Sequence, residues 1–158
     1  MLRRPLAIVA SAAVTGLLVP VAAHANTILT FKEVAKGATF TYIDNPPKSH
    51  KGSASVGDMF VIVNPLVNDN GQHAGHLRAT CTVTKATKNP NKGGAAICYG
   101  VFSFANGTID AMVALTNLNS KVTTGGVVGG TGAYAGARGT LRSVTTKTGN
   151  NDTITLLT

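Results

Sequence analysis

Few side chains in this 158-residue chain are equipped for chemistry, and their types narrow what that chemistry is. Glu33 is its only glutamate, and Asp58 opens a strand-like run. Inside a water-poor pocket either carboxyl would have its pKa raised and could transfer a proton or stabilise charge. At a strand end each could equally be solvated or paired. Asn64 is the polar exception on the face that alternation gives to Asp58, Phe60, Ile62 and Leu66. A buried amide without partners costs ~1 to 3 kcal/mol, so Asn64 must either serve a ligand or cap the strand before Pro65. Cys81 and Cys98 are the only cysteines, either thiols or a disulfide. His50, His73 and His76 lack an i, i+4 helical pairing and a cysteine at ligand spacing, so no metal site is expected. His73 and His76 flank Gly75 and are expected on opposite sides of their strand. Neither a Ser-His-Asp constellation nor a Gly-x-Ser-x-Gly elbow occurs, which argues against a hydrolase.

The elements that must position these groups are strands. After residue 26 no stretch has helical periodicity, while short runs rich in Val, Ile, Thr, Phe and Tyr alternate with Gly, Asn and Pro. Ile28 to Val34 and Thr39 to Ile43 read as a first strand or pair of strands, and Asp44 to Gly57 as a mobile loop. Asp58 to Leu66, Gly75 to Lys85 and Ala95 to Phe104 follow, the last two joined around Asn89-Pro90. If Cys81 lies opposite Cys98, Leu77 faces Phe102, Ala79 faces Gly100 and Val83 faces Ala96, so every pair falls on one apolar face. Asn106-Gly107 reads as a two-residue hairpin turn that pairs Phe104 with Ile109, Phe102 with Ala111 and Gly100 with Val113.

Val122 to Val128 leads into Val127 to Leu141, which holds five glycines but not the Lys-Ser/Thr of a phosphate loop. It reads as a sharp corner: Gly129, Gly130 and Gly132 supply unusual backbone angles, Tyr134 plugs the end of a core, and Arg138 opens the next strand. Thr140 to Thr146, a turn at Gly149-Asn150 and a strand Thr153 to Leu157 complete the chain. A sheet with one apolar face needs a covering layer or closure. Seven or eight antiparallel strands in order are best served by an all-β, up-and-down barrel, since closure removes exposed edges.

Residues 1 to 25 read as a signal peptide: Arg3 and Arg4, an apolar run from Leu6 to Val21, and Ala23-His24-Ala25 for cleavage. The run is shorter than the ~20 residues of a membrane span, so no stable membrane insertion is expected after cleavage. Residues 26 to 158 then form one secreted domain, whose oxidising surroundings favour a Cys81–Cys98 disulfide. The net charge of +8 comes from scattered lysines and arginines, without a basic helix or basic-aromatic alternation, so nucleic acid is not an expected partner.

Three stretches also resemble the allene oxide cyclase and dirigent family. Gly57-Asp58-Met59-Phe60-Val61-Ile62-Val63-Asn64-Pro65-Leu66 is similar to its Gly-Asp strand ending in Asn-x-Leu. Gly75-His76-Leu77-Arg78-Ala79-Thr80-Cys81 is similar to its next strand, and Gly-Gly-Thr-Gly-x-Tyr-x-x-Ala-Arg-Gly to its closing corner. The resemblance implies an eight-stranded barrel with an apolar lumen open at one end, binding a small hydrophobic molecule without cofactor or metal. It implies that Asn64 helps hold a water against the substrate's oxygen, that Glu33 assists, and that Cys81 lies in the lumen. Phe60, Ile62, Leu77, Cys81 and Phe102 would form the ligand-binding wall, with Arg138 as a pocket arginine. Gly132 stands where some dirigents carry an aspartate. The activity implied is an isomerisation or cyclisation; the alternatives are a dirigent-like guide or ligand-binding protein without turnover, and a structural barrel with a filled core. Trimers occur among such relatives, so a homo-oligomer is compatible with the resemblance, although no strand marks an oligomer face.

Overall fold

The computed structural model of the protein describes residues 26–45, 53–89 and 93–157. The segment read as a signal peptide lies outside the described residues. The strands are β1 (Thr27–Val34), β2 (Thr39–Ile43), β3 (Met59–Val67), β4 (His73–Lys85), β5 (Ala95–Phe104), β6 (Gly107–Leu115), β7 (Val122–Gly132), β8 (Gly139–Thr145) and β9 (Gly149–Leu156). Each of β3 to β9 pairs antiparallel with its neighbour in sequence, and β1 closes the cylinder by pairing with both β9 and β3.

Nine segments fill eight strand positions because β1 and β2 lie end to end along β3. Lys32 and Glu33 of β1 pair with Val67 and Leu66, and β2 continues from Thr39, opposite Val63, to Ile43, opposite Met59. Between them the chain turns on an Ala38 N–H to Ala35 carbonyl bond with Gly37 at φ +81°. The leading pair expected from the sequence is therefore one barrel strand interrupted by a turn.

Alternation decides what enters the lumen. On β5, Ala96, Cys98 and Phe102 are buried, whereas Ile97 and Tyr99 between them are about half exposed. Leu77, Phe102 and Ala111 all belong to one buried cluster with Phe31, Leu66, Ile109, Leu141 and Ile154. The β4–β5 register is the one the disulfide requires: Cys81 faces Cys98, Leu77 faces Phe102 and Val83 faces Ala96.

Three expectations shift. The β5–β6 turn is Ala105-Asn106, so Phe104 pairs with Gly107 and Phe102 with Ile109, two residues from the expected register. An offset of two preserves every inward face. Gly107 is needed where β7 crosses: a Cβ there would lie 2.1 Å from the Thr131 carbonyl oxygen. Gly129 and Gly130 are strand residues of β7 and not corner residues, and Gly130 leaves room for the Tyr134 and Thr108 carbonyls, 2.4 and 2.6 Å from where its Cβ would be. The corner itself turns on Gly132 and Gly136, at φ +59° and +74°. Last, Gly149-Asn150 is no turn but the start of β9, paired with Val34 and Glu33.

The two ends of the barrel differ. The turns after β5 and β7 share one end, where Tyr134 packs tilted against Phe104 (ring centroids 5.6 Å apart), Phe104 against Phe31 (5.2 Å) and Phe31 against Phe102 (5.8 Å). Tyr134 thus plugs that end, as its place in the corner implied. The opposite end carries the connections between β4 and β5, β6 and β7, and β8 and β9.

Candidate functional site

Strand alternation on the closed cylinder leaves a cavity of about 270 Å³ in the lumen. Phe60, Ile62, Leu77, Cys81 and Phe102, the wall expected from the sequence, all line it, and the connection after β6 reaches it through Leu118 and Ser120. Cys81 and Cys98 contribute to the wall as a disulfide, so neither offers a thiol. Arg138 does not line the cavity. It is exposed beyond the Tyr134 plug, where its carbonyl accepts the Leu157 N–H. The pocket arginine implied by the resemblance is thereby displaced to the closed end.

One side of the cavity is polar. Glu33 alternates inward with Phe31 on β1 and is buried, 6% exposed. The Asn64 side-chain amide on β3 donates a hydrogen bond to the Glu33 carboxylate, and both residues line the cavity. The two residues singled out for chemistry from separate strands are thus direct partners. The bond exists because β1 closes on β3 two residues from Asn64, at the Glu33–Leu66 pair.

Asp152 completes this side and was not among the sequence candidates. It points inward from β9, opposite Phe31 on β1 and Ser143 on β8, and is 2% exposed. Both of its carboxyl oxygens are shielded and neither makes a direct hydrogen bond. Glu33 and Ser143 nevertheless lie near enough to influence its charge. Burial first, then the negative charge of Glu33, pushes the Asp152 carboxyl up to about 8, with the nearby Ser143 hydroxyl opposing the rise. Starting the last strand at Thr153 left Asp152 in a turn. The available signal was the alternation of Asp152, Ile154 and Leu156, all of which are buried on the inner face.

Asp58 has a structural role. Fully buried, it does not line the cavity but gathers the Tyr42 hydroxyl, the Ser55 amide (2.7 Å) and the Asn45 amide (3.0 Å). Burial raises its pKa, but these three donors outweigh that effect and hold it below the ordinary aspartate value. They also fix both described ends of the segment expected to be a mobile loop, with a bridge from Ala54 to Thr87. Asp58→Ala should cost about 2 kcal/mol, read as a lower denaturation midpoint at pH 7. Because its folded pKa is lowered, Asp58 stabilises above the unfolded value near ~3.9, and this is lost as pH falls through the folded pKa. The wild-type advantage should therefore shrink below about pH 4; an undiminished gap at pH 2 would count against the carboxylate as the anchor.

His73 and His76 do not face opposite sides as expected. A register shift beside Leu66 and Val67, where Gly75 adopts φ +158°, brings their rings edge to face at 4.9 Å. Neither lines the cavity. Among the described residues no helix is long and apolar enough to cross a membrane.

No protein-family model matches the chain, and no curated protein does. Solved structures do share its fold. A pyocyanin demethylase superposes with a TM-score of 0.66 at 23% identity, covering 83% of this chain and 100% of that one. A pterocarpan synthase dirigent protein gives 0.58 at 17%, covering 84% and 88%. An exo-specific intermolecular Diels-Alderase gives 0.56 at 14%, covering 82% and 98%. The fold is that of dirigent-like and Diels-Alderase barrels.

Proposed function

We propose that this protein takes a small apolar molecule into its lumen and, without a cofactor, folds it for isomerisation or cyclisation. The observation that carries this reading is a lumen cavity with apolar walls and one polar side, where Asn64 is held by Glu33. A cavity of this kind, lined mainly by apolar groups with a few convergent polar ones, is the usual form of a small-molecule site. A solid structural barrel would have no such space. The neighbours named for a demethylase, a dirigent protein and a Diels-Alderase support a small-molecule role in general terms.

The chemistry follows from the geometry. An amide nitrogen has two N–H groups; Glu33 accepts from Asn64, which fixes the side chain and leaves an N–H for a substrate oxygen. If a strained epoxide opens, negative charge grows on that oxygen and positive charge on the carbon skeleton. Asn64 would stabilise the first and the carboxyl-bearing side of the lumen the second, while the walls restrict the substrate to a ring-closing conformation. The Asn64–Glu33 contact also supports the finer allene oxide cyclase-type reading. We further propose export as a mature domain of residues 26–158, for which the disulfide is support.

The test uses the mature protein with neutral polyene epoxides and a neutral fluorescent probe, N-phenyl-1-naphthylamine. Saturable probe uptake should disappear in Ala111→Phe, which fills the lumen beside Phe102. Cyclised product should form at a rate that Asn64→Ala lowers on the order of a hundredfold. Uptake without any product would identify a guide or binding protein, and uptake unchanged by Ala111→Phe would remove the lumen as the site.

A further inference from the structure

We propose that the polar side of the lumen, formed by Glu33, Asn64 and Asp152, is a seat for a positively charged group on a small, otherwise apolar ligand. This rests on the lumen being the binding site and specifies the charge of its occupant. Asp152 is 2% exposed, lines the cavity, and has two shielded oxygens without a hydrogen-bond partner. A native carboxyl left in that condition has an unmet need for a partner. Glu33 beside it has the Asn64 amide, a neutral donor, and is itself buried.

Nothing in the wall compensates these carboxyls. The described residues lining the cavity include no Lys, Arg or His. The groups around Asp152 are Glu33 on β1, Asn64 on β3, Ser143 and Thr145 on β8, and Asn150 on β9 itself, so Glu33 is the only other titratable one. Lys121 and Lys147, in the connections at that end, are exposed and do not line the cavity. Asp152 keeps its proton until about pH 8, so this side of the lumen gains a further negative charge above that value. The attraction of a buried charge to an opposite one is strong because little solvent screens it. The same setting repels a carboxylate-bearing ligand. The protein's net charge of +8 therefore gives no guide to its ligand: among the described residues no basic side chain lines the cavity, whereas Glu33 and Asp152 do.

The test compares three probes of one shape class whose charge is constant from pH 6 to 9: benzyltrimethylammonium, its uncharged carbon isostere neopentylbenzene, and phenylacetate. Calorimetric affinities for the wild-type protein should favour the cation over the isostere at least tenfold at pH 7, with phenylacetate weakest. The preference should grow several-fold from pH 7 to pH 9 as Asp152 ionises, and that growth should vanish in Asp152→Asn. Equal affinity for the cation and the isostere, with the isostere binding, would overturn the seat and leave the lumen reading standing. Failure of all three probes to bind would overturn both. Growth of the preference that persists in Asp152→Asn would also overturn the proposal, since the charge would then arise elsewhere.

Discussion

Asp152→Asn should make the protein more stable at pH 8, not less. The Asp152 carboxyl is raised from 3.8 to about 8 in the folded state, so between these values the folded chain keeps a proton that the unfolded chain has released. The unfolded state binds fewer protons, stability falls as pH rises through that window, and the loss levels off once both states are ionised. A rise of that size corresponds to at most about 5 kcal/mol of stability. Asparagine keeps the shape and cannot ionise. Urea midpoints at pH 5, 6.5 and 8 should decline steeply for wild type and much less for the variant, whose curve crosses above it. Parallel curves would mean that Asp152 is solvated or paired in the folded state. A stability loss stored in an inward carboxyl is what a ligand of opposite charge would relieve, so benzyltrimethylammonium should raise the wild-type midpoint most at pH 8.

Opening the Cys81–Cys98 bridge should be the next largest perturbation. The two cysteines face each other across β4 and β5, are 17 residues apart in sequence and are almost fully buried. Closing a loop of that length restricts the unfolded chain by about 3 kcal/mol, which for a domain of this size is a melting temperature lower by roughly 10 °C after reduction. The Cys81→Ala/Cys98→Ala variant should lose more, because two small voids open in the lumen wall next to Phe60 and Val113. Reduction should add two daltons to the intact mass. A melting temperature indifferent to reductant would show that the β4–β5 register is held by its ladder and apolar face alone.

The all-β barrel, the β4–β5 register with its disulfide, and five wall residues were legible in the sequence, because these depend on a two-residue period and on apolar pairs close in the chain. Within that period an error of two residues, as at Ala105-Asn106, leaves each face intact, which is why the inward set survived a wrong turn. The sequence also nominated Asn64 and Glu33, one by its isolation on an apolar face and the other by resemblance. The remainder depends on contacts between distant segments. Closure of β1 onto β3 and β9 joins Glu33 to Asn64 and sets Asp152 beside them, although about 120 residues separate Glu33 from Asp152 in a chain of 158. Neither alternation nor composition specifies which strand closes a cylinder, nor whether an aspartate near a polar Gly-Asn-Asn run begins a strand or ends a turn. Asp58 and Arg138 make the same point from the other side: alternation placed the first on the wall face and the resemblance placed the second in the pocket, and only the closed barrel shows one bound to Asn45 and Ser55 and the other beyond the aromatic plug.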